Sequence, residues 1–310
     1  MTGKNENILN LDSNSCEIVG YVDPLFPLEI WTGSFGKLSG TGLPLHWHPE
    51  YEYGVILRGE MIYAFQDCSL ELGPGDCVFV NSESMHYIRQ KNVDETAELY
   101  TVAFPPALLC ESRQGFIYKK YIAPMEALNF QGLKIDDSGT YGTRIHRLLQ
   151  EIYDSRNMRY GFELHALGLV YQLWLQTLNY VNAADLPANG GRSTAAEKNS
   201  AAIKRALTFI YEHYDEKLTA EDIASAAYIS RNSLFRYFRG GFGKSPLEVL
   251  NEHRLSVATA LLLTDRPITE IALACGFGSS SYFSRIFRES SGMTPQRYRE
   301  LRKAEAGGDK

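Results

Sequence analysis

Residues 218–295 carry one helix–turn–helix pattern twice, and a duplicated helical unit leaves few folds open to that stretch. The first copy, LTAEDIASAAYISRNSLFRYFRGGFGKSP, runs from Leu218 to Pro246, and the second, ITEIALACGFGSSSYFSRIFRESSGMTP, from Ile268 to Pro295. Ile223 and Ala224 recur as Ile271 and Ala272, 48 residues on. Leu234, Arg236, Phe238, Gly243 and Pro246 recur as Phe283, Arg285, Phe287, Gly292 and Pro295, 49 residues on. The extra residue falls in the turn, where an insertion is tolerated best.

Each copy carries its own start signals. Thr219 with Asp222 caps the first helix of unit one, Ser230 the second, and Ser279 the second helix of unit two. Leu234 with Phe238, and Phe283 with Phe287, stand four apart and form the inward faces. Pro246 and Pro295 each suit the first turn of a following helix. Left outward are Arg231, Asn232, Phe235, Arg236 and Arg239 in unit one, and Ser280, Ser281, Ser284, Arg285 and Arg288 in unit two. A helix that presents Asn and Arg near its N-terminus can enter a major groove about 12 Å wide and reach base edges. The pattern predicts a reader of double-stranded DNA, with most direct readout from unit one, because serines read bases more weakly and often touch only phosphates. Surface arginines are also commonly just solvated. Phe235 has two uses, a thymine methyl or cover for its own first helix.

Bulk properties bound the rest. A chain of 310 residues has room for two domains. No run approaches the ~20 apolar residues of a membrane span, and the polar start MTGKNENILNLDSNS lacks a signal-peptide core. Cys16, Cys68, Cys77, Cys110 and Cys275 are scattered with no CxxC pair, which suits reduced thiols in a cytoplasm rather than a disulfide scaffold. Charge is divided: residues 198–310 hold 17 Lys and Arg against 13 Asp and Glu, the remainder 14 against 24. A basic end on an acidic body suits phosphate affinity confined to one domain.

Periodicity divides the chain. Short β-rich runs punctuated by Gly, Pro and Asp fill residues 16–103, and a helical period takes over at 138–182. The expected segments are a β-rich and then helical body over 1–183, a linker over 184–199 rich in Ala, Gly, Asn and Ser, a DNA reader over 200–303 and a polar tail over 304–310. The helices at 138–182 carry two apolar stripes: Ile145, Leu148, Leu149 and Ile152, then Leu167, Val170, Tyr171, Trp174, Leu175 and Leu178. They can pack on the β domain, form a homodimer interface, or do both.

The last third resembles the DNA-binding domain of the AraC/XylS family of bacterial transcription regulators over about residues 200–303. The most specific stretch is I-A-x-x-x-G-F-x-x-x-S-Y-F-x-R-x-F-R-x-x-x-G-M-T-P, standing here as Ile271 to Pro295. The resemblance implies seven helices, with a long connector from about Pro246 to Leu263 holding the two recognition helices ~34 Å apart, one turn of DNA. It implies base-reading positions at Asn232, Phe235 and Arg236 and at Ser280, Ser281 and Arg285, a homodimer, and RNA polymerase as a partner for an activator.

A second pattern lies upstream. Gly40, His46, His48, Glu52 and Gly59 match G-x5-H-x-H-x3-E-x6-G, the first motif of the cupin superfamily, at every specified position. A counterpart from Gly75 to His86 keeps the histidine but has Asn81 where the second motif has Pro and Glu83 where it has Gly. The resemblance implies a small β-barrel followed by an αα-hairpin, with His46, His48, Glu52 and His86 converging inside it. His-x-His on one strand points both rings to one face. Three histidines and a carboxylate suit a divalent transition metal such as Zn, Mn, Fe, Ni or Cu. A metal-free polar pocket for a small molecule fits the same residues, with Trp31 and Tyr63 as aromatic walls that suit sugar faces.

The expected whole is a two-domain α+β chain: a cupin-like sensor, without catalysis and with no obligatory cofactor, joined to a double helix-turn-helix reader. The effector class it favours is a carbohydrate or related metabolite. A metal-dependent cupin enzyme or metal sensor fused to a DNA-binding domain is the competing reading. A constitutive DNA binder whose barrel only dimerises is a third.

Overall fold

The computed structural model describes residues 16–17, 19–21, 23, 25–36, 42–66, 68–92, 94–110, 112–128, 130–184 and 194–307. Nine strands come first: β1 (Glu29–Phe35), β2 (Gly42–His46), β3 (Tyr51–Arg58), β4 (Met61–Phe65), β5 (Ser69–Leu72), β6 (Cys77–Val80), β7 (His86–Gln90), β8 (Ala97–Phe104) and β9 (Gly132–Ile135). All pair antiparallel, in one sheet ordered β1-β8-β3-β6-β9 and another ordered β2-β7-β4-β5. The expected barrel thus takes the form of two facing sheets. Phe35, Ile56, Met61, Tyr63, Phe65, Val78, Ile88 and Leu99 fill the space between them.

Strand alternation on β3 sets the two faces. Tyr51, Tyr53 and Val55 point outward onto a helical layer, and Glu52, Gly54 and Ile56 occupy the alternate positions. That layer is α3 (Thr140–Ser155) and α4 (Phe162–Ala183), which bury Ile145, Leu148, Leu149, Ile152, Val170 and Trp174 against sheet one. The Tyr53 hydroxyl and Thr177 Oγ1 share a hydrogen bond of 2.8 Å, and Trp174 Nε1 donates to the Tyr121 carbonyl at 3.2 Å. The second apolar stripe is divided: Val170 and Trp174 face in, while Tyr171 and Leu175 are 48% and 52% exposed.

Several elements lie outside the expected spans. Strand β9 falls beyond residue 103 and pairs with β6; the short helices α1 (Pro106–Leu109) and α2 (Ala123–Glu126), with a wide turn at Tyr118–Ile122 between them, fill the gap before it. Pro106 and Pro124 stand in the first turns, where a missing N–H costs nothing. The span expected as a linker is helical at its end. Helix α5 (Thr194–Glu212) begins inside it, because Ala195, Ala196, Glu197 and Lys198 are good helix formers; residues 185–193 lie outside the described residues. The last helix likewise takes Ala304–Gly307 from the expected tail, whose residues 308–310 are not described. Gly40 of the first motif is also outside them.

The reader has seven helices among the described residues: α5, α6 (Ala220–Ala226), α7 (Arg231–Phe242), α8 (Pro246–Leu262), α9 (Ile268–Ala274), α10 (Ser280–Ser291) and α11 (Pro295–Gly307). Capping boxes Thr219/Asp222 and Ser245/Glu248 start α6 and α8. The buried Arg254 on α8 donates to the carbonyls of Tyr214 at 2.6 Å and Glu216 at 2.7 Å, tying the connector to the loop after α5.

The reader does not hang free of the sensor. Leu45, Ile62, Ala64, Met85 and Tyr87, on the outer face of sheet two, share one core with Ile203, Leu207, Ile210, Leu234, Phe238 and Val249. The molecule is therefore four layers deep: α3/α4, sheet one, sheet two, and the first helix-turn-helix unit.

Candidate functional site

Both recognition helices start and stop as their residues dictate. Ser230 accepts the Ser233 amide at the head of α7 and Ser279 the Tyr282 amide at the head of α10; Gly243 and Gly292 close them in left-handed geometry. Arg231, Asn232, Arg236, Arg239, Ser281 and Arg285 are exposed, while Phe235 and Ser280 are half-buried. Several of these cations already have neighbours. Arg231 bonds Glu221 at 3.1 Å and lies 5.5 Å over the Phe235 ring; Arg239 meets Glu248 at 3.3 Å and Arg285 meets Glu289 at 3.3 Å. Exposed pairs of this kind are worth under about 1 kcal/mol and exchange readily for a phosphate. One surface aromatic was not legible in the pattern. Tyr228, in the turn before α7, is 83% exposed at φ +57°, where unit two has Gly276 at φ +73°.

The second constellation sits between the sheets. His46 ends β2 opposite His86, which opens β7, so register alone brings two rings together, with centroids 4.2 Å apart. His48 follows two residues later, 5.2 Å from His86. One ring nitrogen from each of the three lies within 4.8 Å of the others, and all three rings are buried. Glu52 rises from β3 beneath them. Its Oε2 is 3.1 Å from His48 Nε2 and 3.7 Å from His86 Nε2, and its Oε1 accepts from the Tyr63 hydroxyl at 3.2 Å.

Each Nδ1 faces a backbone carbonyl: Pro44 at 2.7 Å for His46, Glu50 at 3.2 Å for His48, and Ser84 at 3.0 Å for His86. An Nδ1–H donated to a carbonyl fixes the tautomer and leaves Nε2 as the free donor atom. Of the expected pocket residues, His46, His48, Glu52, Tyr63 and His86 come together. Trp31 stands opposite Thr101 on β8, its ring over Gly33 and beside Phe35, and packs against the same inter-sheet core as Tyr63.

Comparison with known proteins places both halves. Residues 32–173 match the family described as AraC-like ligand binding domain, and residues 223–301 the family described as Helix-turn-helix domain. The chain belongs to the AraC family. An HTH-type transcriptional regulator of Bacillus subtilis, YdeC, is 26% identical over 94% of this chain and 98% of its own. The HTH-type transcriptional activator RhaS of Klebsiella pneumoniae is 25% identical over 86% and 91%. Among solved structures, ToxT of Vibrio cholerae aligns over 89% of this chain and 98% of its own, at 16% identity and a TM-score of 0.47. No helix among the described residues of this AraC-family regulator is long and apolar enough to cross a membrane.

The electrostatics of the regulator's inner site follow from its partners. Burial opposes a charge on Glu52, but the hydrogen bond from His48 and the His86 ring close beside it outweigh that cost and hold the carboxylate well below the usual range. Burial likewise opposes a charge on His48, yet the Glu52 hydrogen bond and the charges of Glu52, Glu17 and Glu50 lift it to about 9. Burial, aided by His86 and His48, pushes His46 well below its ordinary value. The result is a His48 imidazolium paired with Glu52, beside His46 held neutral.

Three further groups come from the N-terminal segment and the β2–β3 turn, where neither motif points. Glu17 Oε2 lies 3.5 Å from His46 Nε2, and burial, against the pull of His48, raises its pKa to about 8. Glu50 accepts a short hydrogen bond from Tyr21 and keeps one buried oxygen without a hydrogen-bond partner. Among the described residues His86 Nε2 has no hydrogen-bond partner either, standing 3.7 Å from Glu52 Oε2. Three buried imidazoles, one nitrogen of each within 4.8 Å of the others and the Glu52 carboxylate beside two of them, fit a divalent transition metal, which would bind His48 in exchange for its Nε2 proton.

A close approach on β3 guards this geometry. A Cβ on Gly54 would lie 2.4 Å from the Tyr63 hydroxyl and 3.1 Å from Val78 Cγ1. Gly54→Ala is therefore expected to cost about 1–3 kcal/mol as overpacking and to push Tyr63 off Glu52. Chemical denaturation of the variant checks it, and a stability equal to wild type would mean that the two sheets yield at this point.

Proposed function

We propose that this AraC-family regulator controls transcription from promoter DNA in response to an effector held by His46, His48, His86 and Glu52, and that the effector site is built around a divalent transition metal. The observation that carries the reading is the three Nδ1 atoms tied to backbone carbonyls, which turn the Nε2 atoms toward one another. Three buried nitrogens, two of them against the Glu52 carboxylate and the third facing Glu17, are poorly matched to solvation and well matched to a cation. A bound cation would supply the positive charge that ties β2, β3 and β7 together. A carbohydrate or related metabolite is the second reading, since hydroxyl oxygens can join such a cation. Its aromatic support rests on Tyr63, whose ring lies 6.3 Å from His86 and nearly parallel to it.

On the DNA side, Arg231, Asn232, Phe235, Arg236 and Arg239 of unit one and Ser280, Ser281 and Arg285 of unit two form the interface. The regulator acts in the cytoplasm as a homodimer joined through the outer face of α4, where Leu164, Tyr171 and Leu175 are exposed. As an activator it would also meet RNA polymerase.

The test takes the full chain, selects its DNA from a random duplex pool, and titrates zinc by calorimetry. Wild type is expected to bind about one zinc ion per chain and His46→Ala to lose it. Arg236→Ala is expected to weaken the selected DNA by about 1–3 kcal/mol and to relax one base position. No zinc binding by wild type would sink the metal reading; undiminished DNA affinity in Arg236→Ala would sink the assignment of α7.

A further inference from the structure

Strand alternation makes sheet two a shared wall. His46, His48 and His86 point into the sandwich, while Trp47 and Tyr87, each next to a histidine in sequence, belong to the opposite face that carries the reader. Lys204 of α5 stands 3.7 Å over the Trp47 ring, and Lys244, in the turn after α7, 3.8 Å over the Tyr87 ring. The Tyr211 hydroxyl of α5 donates to the Leu45 carbonyl, one residue before His46. Every one of these contacts is one residue from a histidine of the inner site.

Glu83 is the residue that this arrangement explains. It stands in the β6–β7 loop at φ +60°, a left-handed conformation that side chains rarely adopt, at the place where the cupin second motif has Gly. The backbone has kept the geometry of a glycine and taken on a side chain. Its amide donates to the His48 carbonyl at 2.8 Å, and its carboxylate accepts from Lys204 Nζ at 3.2 Å. One strained residue thus touches the backbone of an inner-site histidine at one end and the first helix of the reader at the other. A conformation of this kind persists only where the surrounding structure holds it, here through the bond from the Glu83 amide to the His48 carbonyl.

We propose that Glu83, Lys204 and Trp47 form the latch through which the His46/His48/His86 site positions the DNA reader. Glu83 and Lys204 are positioning residues: they hold α5 against the outer face of the strands whose inner face carries the histidines. A change in the spacing of His46, His48 and His86 moves the His48 carbonyl and Trp47, and the latch passes that shift to α5. The acidic sensor and basic reader favour the same docking in sign.

The test compares hydrogen–deuterium exchange across residues 203–211 of the full chain in wild type, Glu83→Gly and Lys204→Gln. Glu83→Gly relieves the backbone, so a purely structural role predicts an equal or higher Tm and unchanged exchange. The latch predicts an equal or higher Tm together with at least about threefold faster exchange in α5 without metal, and the same in Lys204→Gln. Unchanged α5 exchange in both variants overturns the proposal. A second arm adds zinc and rests on the metal reading above. Zinc is expected to slow α5 exchange in wild type and to bind both variants with unchanged affinity while leaving their α5 exchange unaltered. If both variants respond to zinc as wild type does, the latch is not the route. If wild type takes up no zinc, the metal reading fails, and the zinc-free comparison alone decides the latch.

Discussion

Glu52→Ala is expected to destabilise the sensor by about 3–5 kcal/mol near neutral pH, the largest effect of any single change considered. The carboxylate faces His48 at 3.1 Å, and His48 stays protonated up to about 9 only because Glu52 and its acidic neighbours outweigh burial. Removing the carboxylate leaves a cation between two sheets, with Tyr63 and His86 deprived of the same partner. The protein can respond by releasing the His48 proton, which caps the loss rather than cancelling it. Guanidinium unfolding of the full chain measures it, followed by tryptophan emission, since Trp31 and Trp174 report on the sensor. Glu52→Gln keeps the volume and separates charge from packing: it is expected to recover less than half of the loss. A cost below about 1 kcal/mol for Glu52→Ala would mean that His48 is neutral in the folded protein and that the pair is no ion pair.

Acid is expected to weaken the reader in part through His253 of α8, together with the carboxylates of Asp222, Glu248 and Asp265. Its ring is packed between Tyr211, at 4.3 Å, and Tyr214, at 5.0 Å, and burial, helped by the Arg254 charge, lowers its pKa to about 4. In the unfolded chain the ring titrates near 6.5. Above that value both states are neutral and the residue contributes nothing that depends on pH. Below it the unfolded chain takes up a proton that the folded one refuses, so stability falls as pH drops from 6.5 toward 4 and levels off beneath. The full swing is about 3 kcal/mol. Unfolding midpoints at pH 7 and pH 4.5 for wild type and His253→Phe isolate it, because carboxylate effects are common to both. Equal acid sensitivity in the two proteins would show that the ring is protonated in place.

Much of the reader was readable because its signals are local. Ser230, Ser279, Gly243 and Gly292 act within one turn of the residues they stop or start, and the recurrence of Leu234 and Phe238 as Phe283 and Phe287 doubles the evidence. The inner site was readable in part for the same reason. His46 and His48 converge through alternation on one stretch of chain, while His86 needed the β2–β7 register to arrive. Glu17 was not readable, since nothing near it in sequence says that it lies over a strand end some thirty residues away. For Trp31, alternation gives the face it shares with Gly33 and Phe35, but not how its ring lies along its own strand over Gly33 against the inter-sheet core. The same holds for sheet two. Leu45, Ile62 and Tyr87 read as ordinary strand residues, and only the assembled chain shows that helices from beyond residue 194 cover them.

That covering has a consequence for how separable the two halves are. A sensor and a reader joined by a short connecting segment look like exchangeable parts. Here the reader's first unit is the missing roof of the sensor. A chimera that kept residues 1–183 and received another regulator's helices would leave Leu45, Ile62, Ala64, Met85 and Tyr87 facing water unless the donor brought a matching surface. The seam along which this protein could be cut and rejoined therefore runs through its core, and its ancestry as two modules is no guide to its portability.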